Sequence, residues 1–265
     1  MLQSDFQFLE NINEYRLSVV LMADSFFYAI FDTENRLVCH KSFKEIKYSI
    51  PFCTDIILND ENLKFTFTRI IVVAHTNATY HIQQQDDKLL SLLPGLELKS
   101  KKVEKLPGNE IYNYFGISPH QEAFVDRLFG AQSYILKSES ALLSSYYIGN
   151  FYEFIHVHLE SSSVVLYVQK DGKMVFYNIF FTNGMNDILY FILATSAFAN
   201  MNPETVKVKM TGWIESESLL FKHLSGYLGN IEILEDSQCT MSPFITTDIK
   251  PHYYFLHYLN ILCAS

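Results

Sequence analysis

The densest group of chemically capable side chains lies around residues 156–158. His156 and His158 are two residues apart, and on a β-strand such residues share a face, so both could bind one metal ion. No third ligand is evident nearby, and the apolar residues Ile155, Val157 and Leu159 alternate with the pair. The pattern favours a structural role for both histidines, and we expect no metal site.

Serine side chains fill the turn that follows the histidine pair. Ser161, Ser162 and Ser163 could donate hydrogen bonds to an anion at the end of a hairpin. Asp24 and Ser25 stand in a similar polar turn near the start of the chain. A polar β-turn explains the serine run more simply, so these residues are candidates for a binding cleft and not an assigned site.

Residues suited to covalent catalysis do not form a known motif. Ser118-Pro119-His120 lacks the Gly-x-Ser-x-Gly pattern of a nucleophile elbow. The cysteines form no Cys-x-x-Cys pair, so we interpret them as buried or partly buried thiols. They are Cys39, Cys53, Cys239 and Cys263. We therefore predict no catalytic residues and expect the chain to act by binding, not as an enzyme.

Composition excludes several other classes of function. The formal charge of −9 disfavours nucleic acid, which binds mainly through Lys and Arg, and 49% hydrophobic residues support a large folded core. The longest apolar run, residues 188–199, is shorter than the roughly 20 residues of a membrane helix, and the acidic N-terminal segment does not resemble a signal peptide. We expect a cytoplasmic protein without membrane insertion. The one short basic cluster is interpreted as a solvated loop; it contains Lys99, Lys101, Lys102 and Lys105.

Two stretches of the chain have similar patterns of secondary structure, and each contains some of these candidate residues. Residues 17–43 and 155–180 each contain three β-like apolar runs, separated by a short polar segment and then a tight turn. When the two stretches are aligned, Ser25 stands at the position of Ser163. Each stretch is predicted to be a three-stranded antiparallel meander, and the pair indicates an internal duplication.

The segments after each meander complete a ribonuclease-H-like order of strands and helices. After the second meander we predict helix 188–199, strand 206–210, helix 216–229 and strand 230–234. After the first we predict strand 69–75, a helix around 86–93, a Lys-rich loop, strand 110–117, helix 119–130, strand 133–138 and helix 140–149. The fold is therefore expected to be α/β, with two ribonuclease-H-like lobes, residues 1–150 and 151–265, each built on a mixed sheet.

Longer segments of the chain resemble known families. YFGISPHQEAFVDRLFGAQSYILKSESALLSSYY (114–147) is similar to the end of the first lobe in actin-like pilus-assembly proteins of bacterial type IV pili. GKMVFYNIFFTNGMNDILYFILA (172–194) and VKMTGWIESESLLFKHLSGYL (208–228) resemble the uncharacterised bacterial family called domain of unknown function 3822. The resemblance implies an actin-like (ASKHA) fold and a protein partner in an assembly that is compatible with association at a membrane.

The resemblance also implies two hairpins that hold phosphate, of the type Asp-x-Gly-x-x-x-Ser/Thr. Glycine lets backbone amides approach the phosphate, and the aspartate positions a hydrated metal ion. In the first hairpin, Val20 and Met22 take these places, or Asp24 and Phe26 after a shift. The second hairpin has no glycine either; its residues there are Val157 and Leu159, or Glu160 and Ser162.

The loop that would face adenine departs from the expected Gly-Gly pair as well. It reads Thr211-Gly212-Trp213, and the indole either fills the vacant adenine space or anchors a partner. We therefore expect no nucleotide hydrolysis and no cofactor. The aromatic C-terminal segment 250–265 is predicted to form a buried helix that packs beside the first lobe or against a partner.

Three functions follow in order of preference. The first is a non-catalytic scaffold or protein-interaction module with degenerate nucleotide-binding loops. The second is a small-molecule or nucleotide binder that uses the interlobe cleft, and an active ATPase comes last. The candidate cleft residues are Asp24, Ser25, Ser161, Ser162, Ser163, Thr211, Gly212 and Trp213.

Overall fold

The computed structural model describes residues 14–263 except 45, 47, 49, 77, 87, 89–99, 131, 244 and 246–249. The strands are β1 (Arg16–Leu21), β2 (Phe26–Phe31), β3 (Leu37–Phe43), β4 (Arg69–Ala74), β5 (Thr79–Ile82), β6 (Ser100–Lys105), β7 (Tyr112–Ile117), β8 (Ile135–Ser138), β9 (Phe154–Leu159), β10 (Ser163–Lys170), β11 (Lys173–Phe181), β12 (Lys207–Gly212) and β13 (Asn230–Ile233). The α-helices are α1 (Ile50–Asn59), α2 (Pro119–Phe129), α3 (Glu139–Tyr146), α4 (Met185–Phe198), α5 (Leu219–Ser225) and α6 (Phe255–Cys263). Two 3₁₀ helices span Glu61–Lys64 and Pro251–Tyr254.

Two five-stranded mixed sheets contain the predicted meanders. The first has the order β3-β2-β1-β4-β8 and the second the order β11-β10-β9-β12-β13, so both have the same arrangement of strands. In each sheet the meander is antiparallel and the later strands run parallel to its first strand. Nearly every residue of β1 and β9 is buried, as expected for strands covered on both faces.

The parallel pairing sets the positions of two residues that matter for the site. Leu21 at the end of β1 pairs with Ala74 at the end of β4, and Leu159 pairs with Gly212 in the same way. The next residues along the chain, His75 and Trp213, therefore leave equivalent strands at the same edge of their sheets.

A third sheet corrects the interpretation of the basic cluster. Lys101, Lys102 and Lys105 lie on strand β6, which pairs with β7 in a three-stranded antiparallel sheet of order β5-β7-β6, and not on a loop. Lys99 lies outside the described residues, as does most of the helix predicted around residues 86–93. The segment 44–68, which the sequence leaves unassigned, contains α1 and the first 3₁₀ helix.

The helix boundaries follow local capping chemistry. Ser118 caps α2, because its hydroxyl accepts a hydrogen bond from the Gln121 amide while the Gln121 side chain accepts one from the Ser118 amide. Gly130, at φ 58°, ends the same helix in a conformation that favours glycine. Ser138 caps α3 by accepting a hydrogen bond from the Ala141 amide, so that Glu139 becomes the first helical residue.

The C-terminal helix returns to the first sheet, as one of the two predicted arrangements requires. Residues 255–261 of α6 are all buried, and α6 packs against α3, β1, β2 and β4. One hydrophobic core joins this helix to both sheets, since Phe31 from the first and Tyr167 from the second belong to it together with Phe255. The two sheets are therefore held together by direct apolar packing. Separating them would expose this apolar surface to water, which costs free energy.

Candidate functional site

Two hairpin ends meet where the sheets approach each other. In the β1–β2 hairpin the Met22 amide donates to the Ser25 carbonyl at 2.9 Å, and in the β9–β10 hairpin the Glu160 amide donates to the Ser163 carbonyl at 3.0 Å. None of residues 22–25 or 160–163 has a positive φ. Both turns are thus made by ordinary side-chain-bearing residues, which agrees with the absence of glycine from them.

A first cavity, here the His75 cleft, opens between these hairpins. It has a volume of about 280 Å³. The candidate residues Asp24, Ser162 and Ser163 line it. Asp24 is the one carboxylate in its wall, and no described Lys or Arg contributes to it. The complete lining is Met22, Ala23, Asp24, His75, Thr76, Gly116, Ser118, Gln121, Ser162, Ser163, Ile179 and Phe181.

A buried hydrogen-bonded chain connects the two sheets at this cleft. His75 Nδ1 lies 2.8 Å from Glu139 Oε2, and His75 Nε2 lies 3.2 Å from Ser163 Oγ. All three residues are buried. Burial lowers the pKa of His75, but the charge and the hydrogen bond of Glu139 outweigh it and leave that pKa raised.

The fold explains why these residues meet. β4 and β8 are parallel neighbours in which Ala74 pairs with Ser138, so the residues that follow, His75 and Glu139, emerge side by side at the carboxyl edge of the sheet. Ligands and reactive groups commonly collect at this edge of parallel strands. Ser163 comes from the opposite sheet, at the first position of β10.

A second cavity, here the Trp213 cavity, lies on the other side of the hairpins. It has a volume of about 610 Å³. The candidate residues Ser161 and Trp213 line it, together with Lys41 and Lys44. The remaining lining residues are Phe27, Tyr28, His40, Ser42, Tyr254 and His257. Aromatic walls with a few polar groups are typical of small-molecule pockets.

Trp213 forms a wall of this cavity and leaves the space beside it open. Its side chain remains 38% exposed, and its ring lies 4.9 Å from that of Tyr253 and 6.3 Å from that of Tyr254. Tyr254 is fixed in turn, because its hydroxyl lies 3.0 Å from His40 Nδ1. The Trp213 side chain therefore packs against two tyrosine rings and keeps part of its surface accessible.

Three of the candidate residues line neither cavity and are packed within the fold. Thr211 is fully buried. A β-carbon at Gly212 would lie 2.1 Å from the Leu159 carbonyl oxygen, and its φ of 82° also favours glycine. Ser25 is buried, and its carbonyl accepts a hydrogen bond from Tyr48. The predicted site residues are thus divided between two cavities and the supporting layer beneath them.

The histidine pair of β9 belongs to that supporting layer. His156 lies 2.7 Å from the Tyr147 hydroxyl and 3.0 Å from Thr211 Oγ1, and His158 lies 2.9 Å from the same Thr211 oxygen and 3.0 Å from Glu160. Each ring nitrogen therefore has a protein partner. Burial, followed by the charges of His158 and Lys209, holds the pKa of His156 well below its usual value. Within the described ranges no three His, Cys, Asp or Glu side chains are grouped so as to hold a metal ion.

The sequence did not single out His75 or Glu139. A usable signal was present, because His75 ends one predicted strand, Glu139 directly follows another, and the carboxyl ends of parallel strands meet at one edge. Recognising the pair required knowing that β4 and β8 are neighbours, which the sequence spacing of 64 residues does not show.

Comparisons with known proteins agree with this architecture. The family described as Protein of unknown function (DUF3822) matches residues 4–231. No curated protein matches the sequence. Over the parts of the chain that the structure describes, no helix has both the length and the hydrophobicity to cross a membrane.

Solved structures show the fold. A Bacteroides thetaiotaomicron protein with an actin-like ATPase fold and unknown function superposes with a TM-score of 0.68 and 17% identity, over 84% of this chain and 92% of that one. The PilM-PilN type IV pilus biogenesis complex gives 0.64 and 9% identity, over 92% and 96%. Ethanolamine utilization protein EutJ from Carboxydothermus hydrogenoformans gives 0.51 and 11%, over 94% and 89%. The chain has an actin-like ATPase fold, as the resemblance of its segments implied.

Proposed function

We propose that this chain, which belongs to the family described as Protein of unknown function (DUF3822), acts by binding a protein partner and does not turn over nucleotide. The observation that carries the proposal is an outer aromatic surface on the second sheet. We define it by Phe176 and Phe180 of β11 and by Tyr190, Phe191 and Phe198 of α4. A protein partner would cover these rings and gain the free energy of removing them from water.

The five rings form one continuous row. The ring of Phe176 lies 5.5 Å from that of Phe198 and 6.3 Å from that of Phe180. Phe180 is stacked on Phe191 at 4.2 Å, and Phe191 lies 5.5 Å from Tyr190. The ends of the row are the most open, since Phe198 is 66% exposed and Tyr190 is 65% exposed. Aromatic anchors of this kind dominate the binding energy of many protein interfaces.

The position of β11 adds a second means of recognition. This nine-residue strand is the outermost of its sheet in the described part of the chain. Outer strands of this length can pair with an extended segment of another chain, while neighbouring side chains supply specificity. An apolar segment of a partner, lying along β11 and across α4, is the occupant that we propose.

The β1–β2 and β9–β10 hairpins support the proposal that the chain does not turn over nucleotide. A triphosphate needs close backbone amides and cations, whereas the turns between the sheets carry side chains, and the His75 cleft presents Asp24 without a described Lys or Arg. One structural neighbour, PilM-PilN, is a complex, which is in keeping with a binding role, although 9% identity carries the fold alone.

We also propose that the two lobes, residues 1–150 and 151–265, arose by internal duplication. Their sheets have the same strand order. In an actin-like protein that has lost nucleotide, the two lobes would serve as a rigid support for the outer aromatic surface.

The Trp213 cavity supports a second candidate function, the binding of a planar small molecule with an anionic group. Trp213 and Phe27 offer ring faces, and Lys44 offers positive charge at the same cavity, whereas the Lys41 ammonium is paired with Asp60. Trp213 is the one tryptophan of the chain, so its fluorescence reports on this cavity directly. A library of such compounds should quench or shift the emission, and Lys44→Ala should weaken the response; emission that no compound changes would remove this candidate.

Site-specific photo-crosslinking in the host cell tests the partner proposal. A photoreactive phenylalanine analogue replaces Tyr190 in one variant and Tyr227 in a control variant; Tyr227 is 55% exposed and follows α5. We expect one discrete protein adduct from position 190, no such adduct from position 227, and loss of the adduct when Phe198→Ser is added. Equal adducts from both positions, or none from position 190, would contradict the proposal.

A further inference from the structure

We propose that Ser163, His75 and Glu139 form a nucleophile, a general base and its orienting carboxylate that hydrolyse an uncharged carboxylic ester held in the His75 cleft. The proposal is independent of partner binding, because none of its residues lies on the outer aromatic surface. If it holds, the expectation from the sequence that the chain is not an enzyme is wrong.

The hydrogen bonds assign the three roles. An ionised carboxylate can only accept, so Glu139 Oε2, 2.8 Å from His75 Nδ1, places a proton on that nitrogen. The lone pair of a neutral His75 then lies on Nε2, 3.2 Å from Ser163 Oγ, where it can take the hydroxyl proton. A nucleophile in reach of a base, with the base oriented by a third group, is the arrangement by which serine is activated on many unrelated folds.

The surroundings favour the charged state that forms during the reaction. When His75 takes the Ser163 proton it becomes an imidazolium, and the adjacent buried Glu139 stabilises that charge. The same carboxylate raises the pKa of His75 against the effect of burial. Glu139 itself is fixed at the first position of α3 by the Ser138 cap, so the pair is held by secondary structure and not by a loop.

The cleft selects the class of substrate. Ser163 and His75 both line it, so the nucleophile faces a space of about 280 Å³, which suits a short acyl group. Its wall combines apolar side chains such as Ile179 and Phe181 with Asp24, and no described Lys or Arg is present, so an anionic substrate is disfavoured. The N-cap residue of α2, Ser118, also lines the cleft, which puts the positive end of that helix near the site where a carbonyl oxygen would gain negative charge.

The reaction balances with an ester and water alone. Ser163 Oγ forms a bond to the carbonyl carbon, its proton moves to His75 Nε2, and the carbonyl π pair moves onto oxygen. When the carbonyl re-forms, the bond from carbon to the alcohol oxygen breaks and His75 returns the proton to that oxygen. Water then attacks the acyl-Ser163 ester with His75 taking its proton, and the carboxylic acid leaves as the proton returns to Ser163 Oγ.

Covalent labelling of the full-length wild-type protein tests the proposal. A fluorophosphonate probe is incubated with the folded protein, and the modified peptide is identified by mass spectrometry, while p-nitrophenyl acetate hydrolysis is followed in parallel. We expect an adduct on Ser163 and a hydrolysis rate that falls at least about 100-fold in Ser163→Ala, in line with the loss of a nucleophile. Ser225→Ala, a change on α5 remote from the cleft, should retain the wild-type rate and labelling.

A second set of variants separates the base from its carboxylate. Glu139→Gln should lower the rate of hydrolysis, because the Gln side chain no longer fixes the tautomer of His75. It should also change the pH profile of hydrolysis and leave the circular dichroism spectrum unchanged. His75→Ala should abolish labelling of Ser163. Absence of an adduct on Ser163 in folded wild-type protein, or an adduct only on another serine, would overturn the proposal. So would a hydrolysis rate that Ser163→Ala leaves unchanged.

Discussion

Acidification should destabilise this protein through the buried histidines between its sheets. His40, His156 and His257 are all buried, with exposed fractions of 6% or less. Burial lowers the pKa of His40 to about 4 and, with the charges of His40 and His158, lowers the pKa of His257 to about 3. The pKa of His156 also lies well below its usual value because of burial. The folded protein therefore keeps these rings neutral in mildly acidic solution.

The direction of the pH effect on stability follows from how many protons the folded and unfolded states bind. In the unfolded chain a histidine has a pKa near 6.5, so below that pH the unfolded state binds protons that the folded state does not. Stability is fully present above pH ~6.5 and is lost as the pH falls toward the folded pKa. Each such histidine contributes a slope of about 1.4 kcal/mol per pH unit, so three contribute about 4 kcal/mol per unit as an upper figure. That is a large part of a typical free energy of unfolding of about 5–15 kcal/mol.

His75 acts in the opposite direction and in a different pH range. Its folded pKa is raised, so its contribution to stability is present below the unfolded value and is lost as the pH rises through the folded value. Well below pH ~6.5 both states of His75 mostly carry the proton, so the pH dependence of stability there reports on the histidines whose pKa is lowered.

One substitution tests the size of the pH dependence of the unfolding free energy. His257→Gln removes one titrating ring that lies 2.8 Å from Ser18 Oγ, so it should reduce the pH slope by about 1.4 kcal/mol per unit. Urea unfolding followed by Trp213 fluorescence at pH 5.5, 6.0, 6.5 and 7.5 measures the slope. His120→Gln, a change at an exposed position of α2, is the matched control and should keep the wild-type slope. Wild-type stability that is constant from pH 5.5 to 6.5, or equal slopes in wild type and His257→Gln, would show that the fold does not keep these histidines neutral.

Three further substitutions have definite expected outcomes. Trp213→Ala should lower the free energy of unfolding by roughly 2 kcal/mol, which is below the range for a fully buried ring because Trp213 is 38% exposed. A loss below ~0.5 kcal/mol in urea unfolding would count against a packing role for this side chain. Gly212→Ala should prevent folding or cost several degrees in melting temperature because its β-carbon would meet backbone at 2.1 Å, whereas Gly184→Ala, with nothing within 4 Å, should fold normally. Asp60→Ala should cost about 3–5 kcal/mol, since the buried carboxylate accepts a hydrogen bond from Lys41 at 3.0 Å; an unchanged urea midpoint would exclude that ion pair as a stabilising contact.

Much of the fold could be predicted because its strands have strong local patterns. The two meanders show apolar runs separated by turn residues, and the structure places strands at both. The sheet β5-β7-β6 was missed because β6 reads SKKVEK, which looks like a solvated loop. Its strand character comes from pairing with β7 along the whole strand, from Ser100 opposite Ile117 to Lys105 opposite Tyr112, which no local pattern reveals.

The candidate site was only partly predictable for the same reason. The hairpin residues Asp24, Ser162 and Ser163 could be chosen from the repeat, and they do line one cleft. His75 was missed because it reaches Ser163 from another sheet, with 88 residues separating the two, and Glu139 was missed because its contact is with His75. Their meeting depends on how the two sheets pack, and local sequence does not specify that packing.

Titration calorimetry with Mg-ATP shows whether this actin-like chain acts without nucleotide. We expect no saturable heat at millimolar Mg-ATP and no rise in melting temperature at the same concentration. Saturable binding would contradict this expectation, particularly if the melting temperature also rose by several degrees, as ligand at about 100 times its dissociation constant adds roughly 2.7 kcal/mol.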